Sequence, residues 1–198
     1  MNKDIYWDIK QGFCIMGGIC MRRALYYRYA EEIPNLPRYC RAVAYIRGGP
    51  LAPKISGVAY FDDVPGGCRV CVQVRGLPSY QPADENSQPI GPHGFHIHEF
   101  GNCEVGDPED PFQSAGGHWN PDGQPHGNHA GDFPVLFSNN GYAWMCFFTN
   151  RFRARDVVGK SVIIHQNPDD YRSQPAGNAG KRLACGVIQW VDEGQFYC

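Results

Sequence analysis

The sequence predicts an all-β domain in which short antiparallel strands form a barrel or a sandwich. Glycine and proline are frequent, with 24 and 16 residues in a chain of 198, and they separate short runs of valine, tyrosine and phenylalanine. Such runs, bounded by turn residues, are typical of strands joined by turns and loops. A chain of this length can form one domain with a sizeable core, so we expect about eight strands around it.

The strand patterns begin after residue 40 and are separated by turn signals. Gly48-Gly49-Pro50 ends the first pattern, and Asn140-Gly141 indicates a hairpin. The predicted strands cover residues 41–47, 55–61, 69–74, 95–100, 135–137, 142–149, 162–165 and 184–190. Two long segments without periodicity, 101–133 and 166–183, interrupt the series. Loops of that length in a compact domain are usually functional, so we expect both to lie over one face of the sheet.

The first 38 residues are predicted to form an extension with one short helix over about residues 20–33. Apolar residues recur there at every fourth position, namely Met21, Leu25, Tyr29 and Ile33. Pro34 and Pro37 are expected to end this helix. We therefore divide the chain into an N-terminal extension (1–38), a barrel domain (39–192) and a C-terminal tail (193–198).

Charge and hydropathy exclude two classes of partner. Only 19% of the residues are charged and the formal net charge is -2, so no basic surface for nucleic acid is predicted. No apolar run reaches the roughly 18 residues that a membrane span needs.

Cysteine usage and the N-terminus predict a cytoplasmic location. The chain has nine cysteines, and an odd count indicates that some thiols are free. Asp4 and Asp8 precede the apolar run 12–20, where a signal peptide would have positive charge. Export or attachment at the cell surface is the alternative.

Histidines are concentrated in one part of the chain. In the strand pattern at 95–98, His96 and His98 alternate with Phe95 and Ile97, and side chains two residues apart point the same way. The apolar pair is expected in the core, which places both imidazoles on the outer side of the barrel wall. The first long loop then adds the candidate ligands His118, His126, His129 and Asp132, and His165 ends the strand that leads into the second loop.

Imidazoles at this density, with one carboxylate, predict a metal-ligand set rather than a solvated surface. Six histidines and one aspartate can give four ligands to each of two metals only if one ligand is shared. A deprotonated imidazole can be that ligand because each ring nitrogen can hold one metal. Imidazole suits copper and zinc, and three imidazoles with one carboxylate form a closed zinc site. A polar loop without metal is the alternative.

Five segments resemble the copper–zinc superoxide dismutase family in its bacterial branch. They are GPHGFHIHEFGNC, SAGGHWNP, HAGDFP, SVIIHQNPDD and GNAGKRLACGVI, and the resemblance spans roughly residues 40–192. It implies an eight-stranded Greek-key β-barrel with a zinc-binding loop and a second loop that lines the active-site channel.

The resemblance also implies a role for each site residue. Arg182 attracts and orients the anion, and Asp169 hydrogen-bonds one copper ligand and one zinc ligand. Cys103 and Cys185 form an intramolecular disulfide, while His93 is structural. Copper is bound by His96, His98, His118 and His165, and zinc by His118, His126, His129 and Asp132, with His118 as the bridging imidazolate.

The implied reaction converts superoxide, the substrate, to dioxygen and hydrogen peroxide. Copper alternates between Cu(II) and Cu(I), whereas zinc does no redox chemistry because its d shell is filled. His118 is expected to leave reduced copper and carry a proton for the peroxide. A homodimer is a further expectation. The alternative function is a catalytically inactive, dismutase-like metal-binding or structural module.

Some features depart from the family pattern. Only two residues separate His126 from His129, which shortens the zinc loop, and Ala176 replaces a threonine that animal relatives have at the channel mouth. Cys68 and Cys71 have redox-motif spacing, but on a strand they point to opposite faces, which argues against a copper-chaperone site. Cys146 stands among aromatic residues and is predicted to be a buried apolar residue.

Overall fold

The structure is a computed structural model that describes residues 41–191. The predicted extension with its helix, and the C-terminal tail, lie outside the described residues. Seven strands, one 3-10 turn and one α-helical turn follow the described chain: β1 Arg41–Gly48, β2 Ser56–Val64, β3 Gly67–Arg75, β4 Phe95–His98, the 3-10 turn Gln113–Ala115, β5 Tyr142–Thr149, α1 Ala154–Val157, β6 Ser161–His165 and β7 Arg182–Trp190. No described helix is long and apolar enough to cross a membrane.

All seven strands belong to one antiparallel sheet in the order β4-β6-β7-β1-β2-β3-β5. β4 and β5 are consecutive along the chain but lie at opposite edges of the sheet. The chain between them pairs with both edges, because Asp132 bridges His96 of β4 and Asn139 bridges Tyr142 of β5. The all-β antiparallel class is therefore confirmed.

The segment 135–137, predicted as an eighth strand, is not a strand among the described residues. Its Leu136 exchanges two backbone hydrogen bonds of 2.8 Å with His93, which makes an isolated bridge. Pro134 directly precedes the segment and has no N–H to extend the pairing.

Side-chain alternation places the core on one side of the sheet. In β3, Cys68, Val70, Val72 and Val74 are buried while the residues between them are more exposed, as expected for a sheet with one solvated face. Every residue of β4 and β6 is buried, however. The two long loops cover the outer face of these two strands, and this covered face holds the candidate site.

Two disulfides are present among the described residues, Cys103–Cys185 and Cys71–Cys146. The second corrects the prediction for Cys146, which is exposed and bonded rather than a buried apolar residue. Alternation in β5 places Cys146 on the outer face beside Trp144, which is 70% exposed, and directly opposite Cys71 of β3.

Cys68 is a free, buried cysteine on the opposite face of β3 from Cys71. Burial, reinforced by the nearby charges of Asp63 and Asp62, raises the pKa of the Cys68 thiol to about 12. It therefore stays protonated and unreactive.

Candidate metal centre

The strands position the first set of histidines. Phe95 and Ile97 of β4 are fully buried in the core, so His96 and His98 project from the other face, under the loops. β6 pairs with β4 and ends at His165, where the register with β7 shifts between Ile164 and His165. The long loop that follows β4 pairs with this strand again at a bridge between His98 and His118.

The loop after β4 is organised around the carboxylate of Asp132. Its Oδ2 accepts hydrogen bonds from the backbone N–H of Gly127 at 2.9 Å and of His129 at 3.0 Å. Its Oδ1 lies 3.1 Å from His118 Nδ1. Gly127 has φ 90°, and a Cβ there would lie 2.5 Å from the carbonyl oxygen of Tyr171, so glycine allows the two long loops to meet.

Two groups of candidate ligands result, and His118 belongs to both. Within each group the ligand atoms lie within 4.8 Å of one another. One group consists of His96, His98, His118 and His165, and the other of His118, His126, His129 and Asp132. The sequence-predicted ligands are thus brought into one buried cluster.

Ring nitrogens in this cluster lack ordinary partners. Among the described residues, four buried ring nitrogens have no hydrogen bond, namely His96 Nδ1, His118 Nε2, His126 Nδ1 and His129 Nδ1. A buried polar atom left without a partner costs about 1–3 kcal/mol, so four together need another interaction. His98 Nε2 and His165 Nε2 also face each other at 3.2 Å. Converging imidazole nitrogens with one carboxylate fit copper and zinc.

Asp169 from the second loop links the two groups. Its carboxylate lies 2.7 Å from His96 Nε2 and 2.9 Å from His126 Nε2. When each Nε2–H donates to this carboxylate, each Nδ1 is left as a free lone pair, and these are two of the nitrogens without a partner. Gly177 leaves room for this contact, since a Cβ there would lie 1.9 Å from Asp169 Oδ1.

Burial favours the neutral form of three histidines of the first group. Burial, reinforced by the charges of neighbouring histidines, holds the pKa of His96 and of His98 well below the ordinary value. Burial is also the main cause that lowers the pKa of His165 to about 3. Burial opposes ionisation of Asp132, but the hydrogen bond with His118 and the charges of nearby histidines leave its pKa lowered. Neutral imidazoles and an ionised carboxylate are the forms that bind metals.

Arg182, the first residue of β7, is held beside the first group by backbone carbonyls. Its guanidinium donates to the carbonyl oxygens of Phe112 at 2.6 Å and Gly116 at 2.8 Å. The Gly116 oxygen also accepts a hydrogen bond of 3.0 Å from His98 Nδ1. The arginine charge contributes to lowering the pKa of His98 and of His165, so its field reaches this group.

The Cys103–Cys185 disulfide fastens the segment that carries these carbonyls. Cys185 is in β7 and packs in a small buried cluster with Phe112, Ala115 and Ile163. The loop beginning at Cys103 is thereby tied to the sheet close to Arg182.

His93 lies outside both ligand groups. Its Nδ1 is 2.9 Å from the backbone carbonyl oxygen of His165, to which it can donate a hydrogen bond. His93 therefore contacts the backbone of a candidate ligand rather than a ligand atom.

Sequence reasoning missed three contributors to the site. Gly116 supplies the carbonyl that His98 and Arg182 share. Gln174 Oε1 accepts from the backbone N–H of His126 at 2.8 Å, and Arg151 donates to the carbonyl of His129 at 2.6 Å. No sequence pattern signals these bonds, because they join side chains to backbone groups far away in the chain.

Comparisons with known proteins agree with this geometry. The family model described as "Copper/zinc superoxide dismutase (SODC)" matches residues 55–188. The chain is 38% identical over 157 residues to the copper–zinc superoxide dismutase of Deinococcus radiodurans, covering 70% of this chain and 80% of that protein. It is 35% identical over 164 residues to the Schizosaccharomyces pombe enzyme of the same name, covering 75% and 96%.

A solved structure is similar as well. The Cu/Zn superoxide dismutase from Brucella abortus superposes with a TM-score of 0.61 at 27% sequence identity, covering 75% of this chain and 99% of that one. Family model, relatives and fold thus agree with one another. On these grounds the chain belongs to the copper/zinc superoxide dismutase family.

Proposed function

We propose that this protein is a superoxide dismutase that binds copper in the first ligand group and zinc in the second. The observation that carries this proposal is the position of His118. Its Nδ1 lies beside Asp132 of the second group, while its Nε2 is buried without a partner and available to the first group. One imidazole can therefore serve both metals.

The atoms available to each metal follow from the hydrogen bonds already made. Copper would be held by His96 Nδ1, His98 Nε2, His118 Nε2 and His165 Nε2. Zinc would be held by the carboxylate of Asp132 and by Nδ1 of His118, His126 and His129. When bound, copper supplies the one-electron redox chemistry, and zinc does not because its d shell is filled.

The residues of the chain supply orientation, charge and a proton. Arg182 is a fixed cation whose two carbonyl contacts aim it beside His98, so it attracts and orients the superoxide anion. Asp169 fixes the tautomers of His96 and His126. Whenever its Nε2 is not bonded to copper, His118 would hold there one of the two protons that hydrogen peroxide requires, with the second taken from solvent, while its Nδ1 would stay at the second group.

A purified protein tests the proposal directly. We expect protein reconstituted with both metals to remove superoxide at a rate proportional to the copper bound, measured by stopped-flow decay of superoxide. Copper demonstrably bound without superoxide removal would contradict the proposal and favour the alternative, an inactive dismutase-like module. The complete ligand set together with Arg182 supports the active enzyme.

We extend the proposal to the finer architecture. The bridges that join Leu136 to His93 and Asn139 to Tyr142 support a Greek-key barrel that this segment closes by single bridges rather than by a full eighth strand. The domain would span 39–192, with 1–38 as an extension and 193–198 as a tail.

Location and assembly are proposals of the same kind. The odd number of cysteines supports the cytoplasm, whereas the disulfide at the exposed Cys146 supports export, because cytosolic reductants keep exposed thiols reduced. Fractionation of cells with alkylation of free thiols decides between them. We also propose a homodimer that binds no nucleic acid, which sedimentation and a nucleic-acid binding assay would test.

A further inference from the structure

Arg151 belongs to neither ligand group, yet it is bonded to the tip of the loop that carries the second group. Its guanidinium Nη1 donates to the backbone carbonyl of His129 at 2.6 Å, and Nη2 donates to Asn128 Oδ1 at 3.0 Å. Hydrogen bonds from a charged donor are stronger than neutral ones, and two bonds from one planar group fix direction as well as distance.

The backbone that carries Arg151 is itself fixed against the same loop. Its N–H lies 3.2 Å from Thr149 Oγ1 at the end of β5. The next residue, Phe152, is 4% exposed and its ring contacts those of Trp119 and Phe133, at centroid distances of 5.7 and 6.1 Å. Trp119 directly follows His118 and Phe133 directly follows Asp132. The segment therefore packs against both ends of the ligand loop.

His129 is held at both backbone polar groups as a result. Its N–H donates to Asp132 Oδ2 at 3.0 Å, and its carbonyl accepts from Arg151. With both groups fixed, the ring is presented so that Nδ1 lies 3.3 Å from Asp132 Oδ1, in the second ligand group. Metal–ligand distances tolerate only about 0.2 Å, so the position of this backbone matters to the ion.

We propose that Arg151 is a positioning residue of the zinc group, which acts through the carbonyl of His129 and determines how firmly the loop retains zinc. The inference rests on the zinc assignment proposed above. It assigns Arg151 no contact with copper or superoxide, because its guanidinium bonds lie at the loop tip.

The experiment compares Arg151→Ala and Arg151→Lys with the control Arg155→Ala. Arg155→Ala removes the same charge four residues away. The Arg155 side chain is 74% exposed, and its Nε lies 3.8 Å from Asp156 Oδ1. Each protein is loaded with zinc alone, and zinc release to a chromogenic chelator is timed. We expect Arg151→Ala to release zinc about ten- to hundredfold faster than the wild type, the range typical of outer-shell partners. Arg151→Lys, which keeps one charged donor, should fall between, and Arg155→Ala should match the wild type.

A second readout separates positioning from general stability. With cobalt(II) in place of zinc, the visible absorption of the ion reports the geometry of its ligands, and only the Arg151 variants should change it. Equal zinc release from both alanine variants, or an unchanged cobalt spectrum, would overturn the inference while leaving the zinc assignment intact. Failure of the wild type to bind zinc would overturn both.

Discussion

The two ligand groups share one histidine, but the other ligands of the first group lie on strands and those of the second lie in a loop. The first takes His96 and His98 from β4 and His165 from the end of β6, so the sheet's backbone hydrogen bonds position its side chains. The second takes His126, His129 and Asp132 from a loop, and of these three residues only Asp132 forms a bridge to a strand, at His96. There the backbone is held by side chains, from Asp132 within the loop and from residues outside it.

The difference shows what fixes the arrangement of the ligands in each group. Strand ligands keep their spacing because the pleat repeats every second residue and the core fixes Phe95 and Ile97 between them. Loop ligands keep theirs only while each supporting bond is made, so the ion and the loop stabilise each other. Substitution of a strand ligand should therefore disturb only the copper site. Substitution of a loop ligand should disturb the whole loop that carries the zinc site.

Replacement of the shared residue should have the largest effect. His118→Asn removes the one ring that serves both groups, so zinc affinity should fall by more than the roughly 10–100-fold expected for an outer-shell partner, and copper binding should weaken too. Metal content by mass spectrometry and superoxide removal measure both losses. Full retention of both metals would show that His118 is not a bridge.

Replacement of one unshared ligand from each group should separate the two. His96→Ala should abolish superoxide removal while zinc stays bound, because the four atoms of the second group are untouched. His129→Ala should release zinc while copper remains detectable by its electron paramagnetic resonance signal. If His96→Ala emptied the zinc site as well, the strand group would not be independent of the loop group.

The strand group was also the part most accessible to prediction. Period-two alternation at His96 and His98 placed both side chains on one face, and burial of Phe95 and Ile97 bears this out. The all-β antiparallel class followed from turn signals and short apolar runs. The prediction of a strand at 135–137 was wrong, because these three residues follow a proline and form only one bridge, at Leu136.

Other features could not be predicted because they depend on contacts distant in sequence. Cys146 was misassigned since the aromatic residues around it stand on both faces of β5, and only the register with β3 shows that Cys71 is opposite. Roles in the loop group came from family resemblance, and the residues that support it, Arg151 and Gln174, have no pattern of their own. A loop has no periodicity from which such partners can be inferred.

Asp169→Asn should weaken the coupling between the groups by a smaller amount. The carboxylate contacts His96 and His126, one from each group, and an amide cannot accept equally from both rings. We expect affinity for each metal to fall about 10–100-fold with the ligands themselves intact. Competitive titration with chelators measures both affinities, and Asp122→Asn, at an exposed carboxylate of the first long loop, is the control. A loss confined to one metal would mean that Asp169 supports one group alone.

The smallest expected effect concerns the metal-free protein and pH. Burial lowers the pKa of His165 to about 3, so the folded state binds fewer protons than the unfolded state, in which histidine titrates near 6.5. The stabilisation is therefore complete above about pH 6.5 and is lost as pH falls towards 3, at roughly 1 kcal/mol per unit for each such histidine. His96 and His98 have lowered pKa values for the same reason and add to the slope.

Urea unfolding of the metal-free protein between pH 7.5 and about 5 measures this slope, in a range where carboxylates are ionised in both states. His165→Gln removes one of the titrating groups, so its free energy of unfolding should depend less steeply on pH than that of the wild type. Equal slopes would mean that the His165 imidazole has the same pKa in the folded metal-free protein as in the unfolded chain, so that it is protonated at pH 5 in both. The sheet would then not hold the strand group as neutral ligands before the metal binds, and the contrast with the loop group would lose its physical basis.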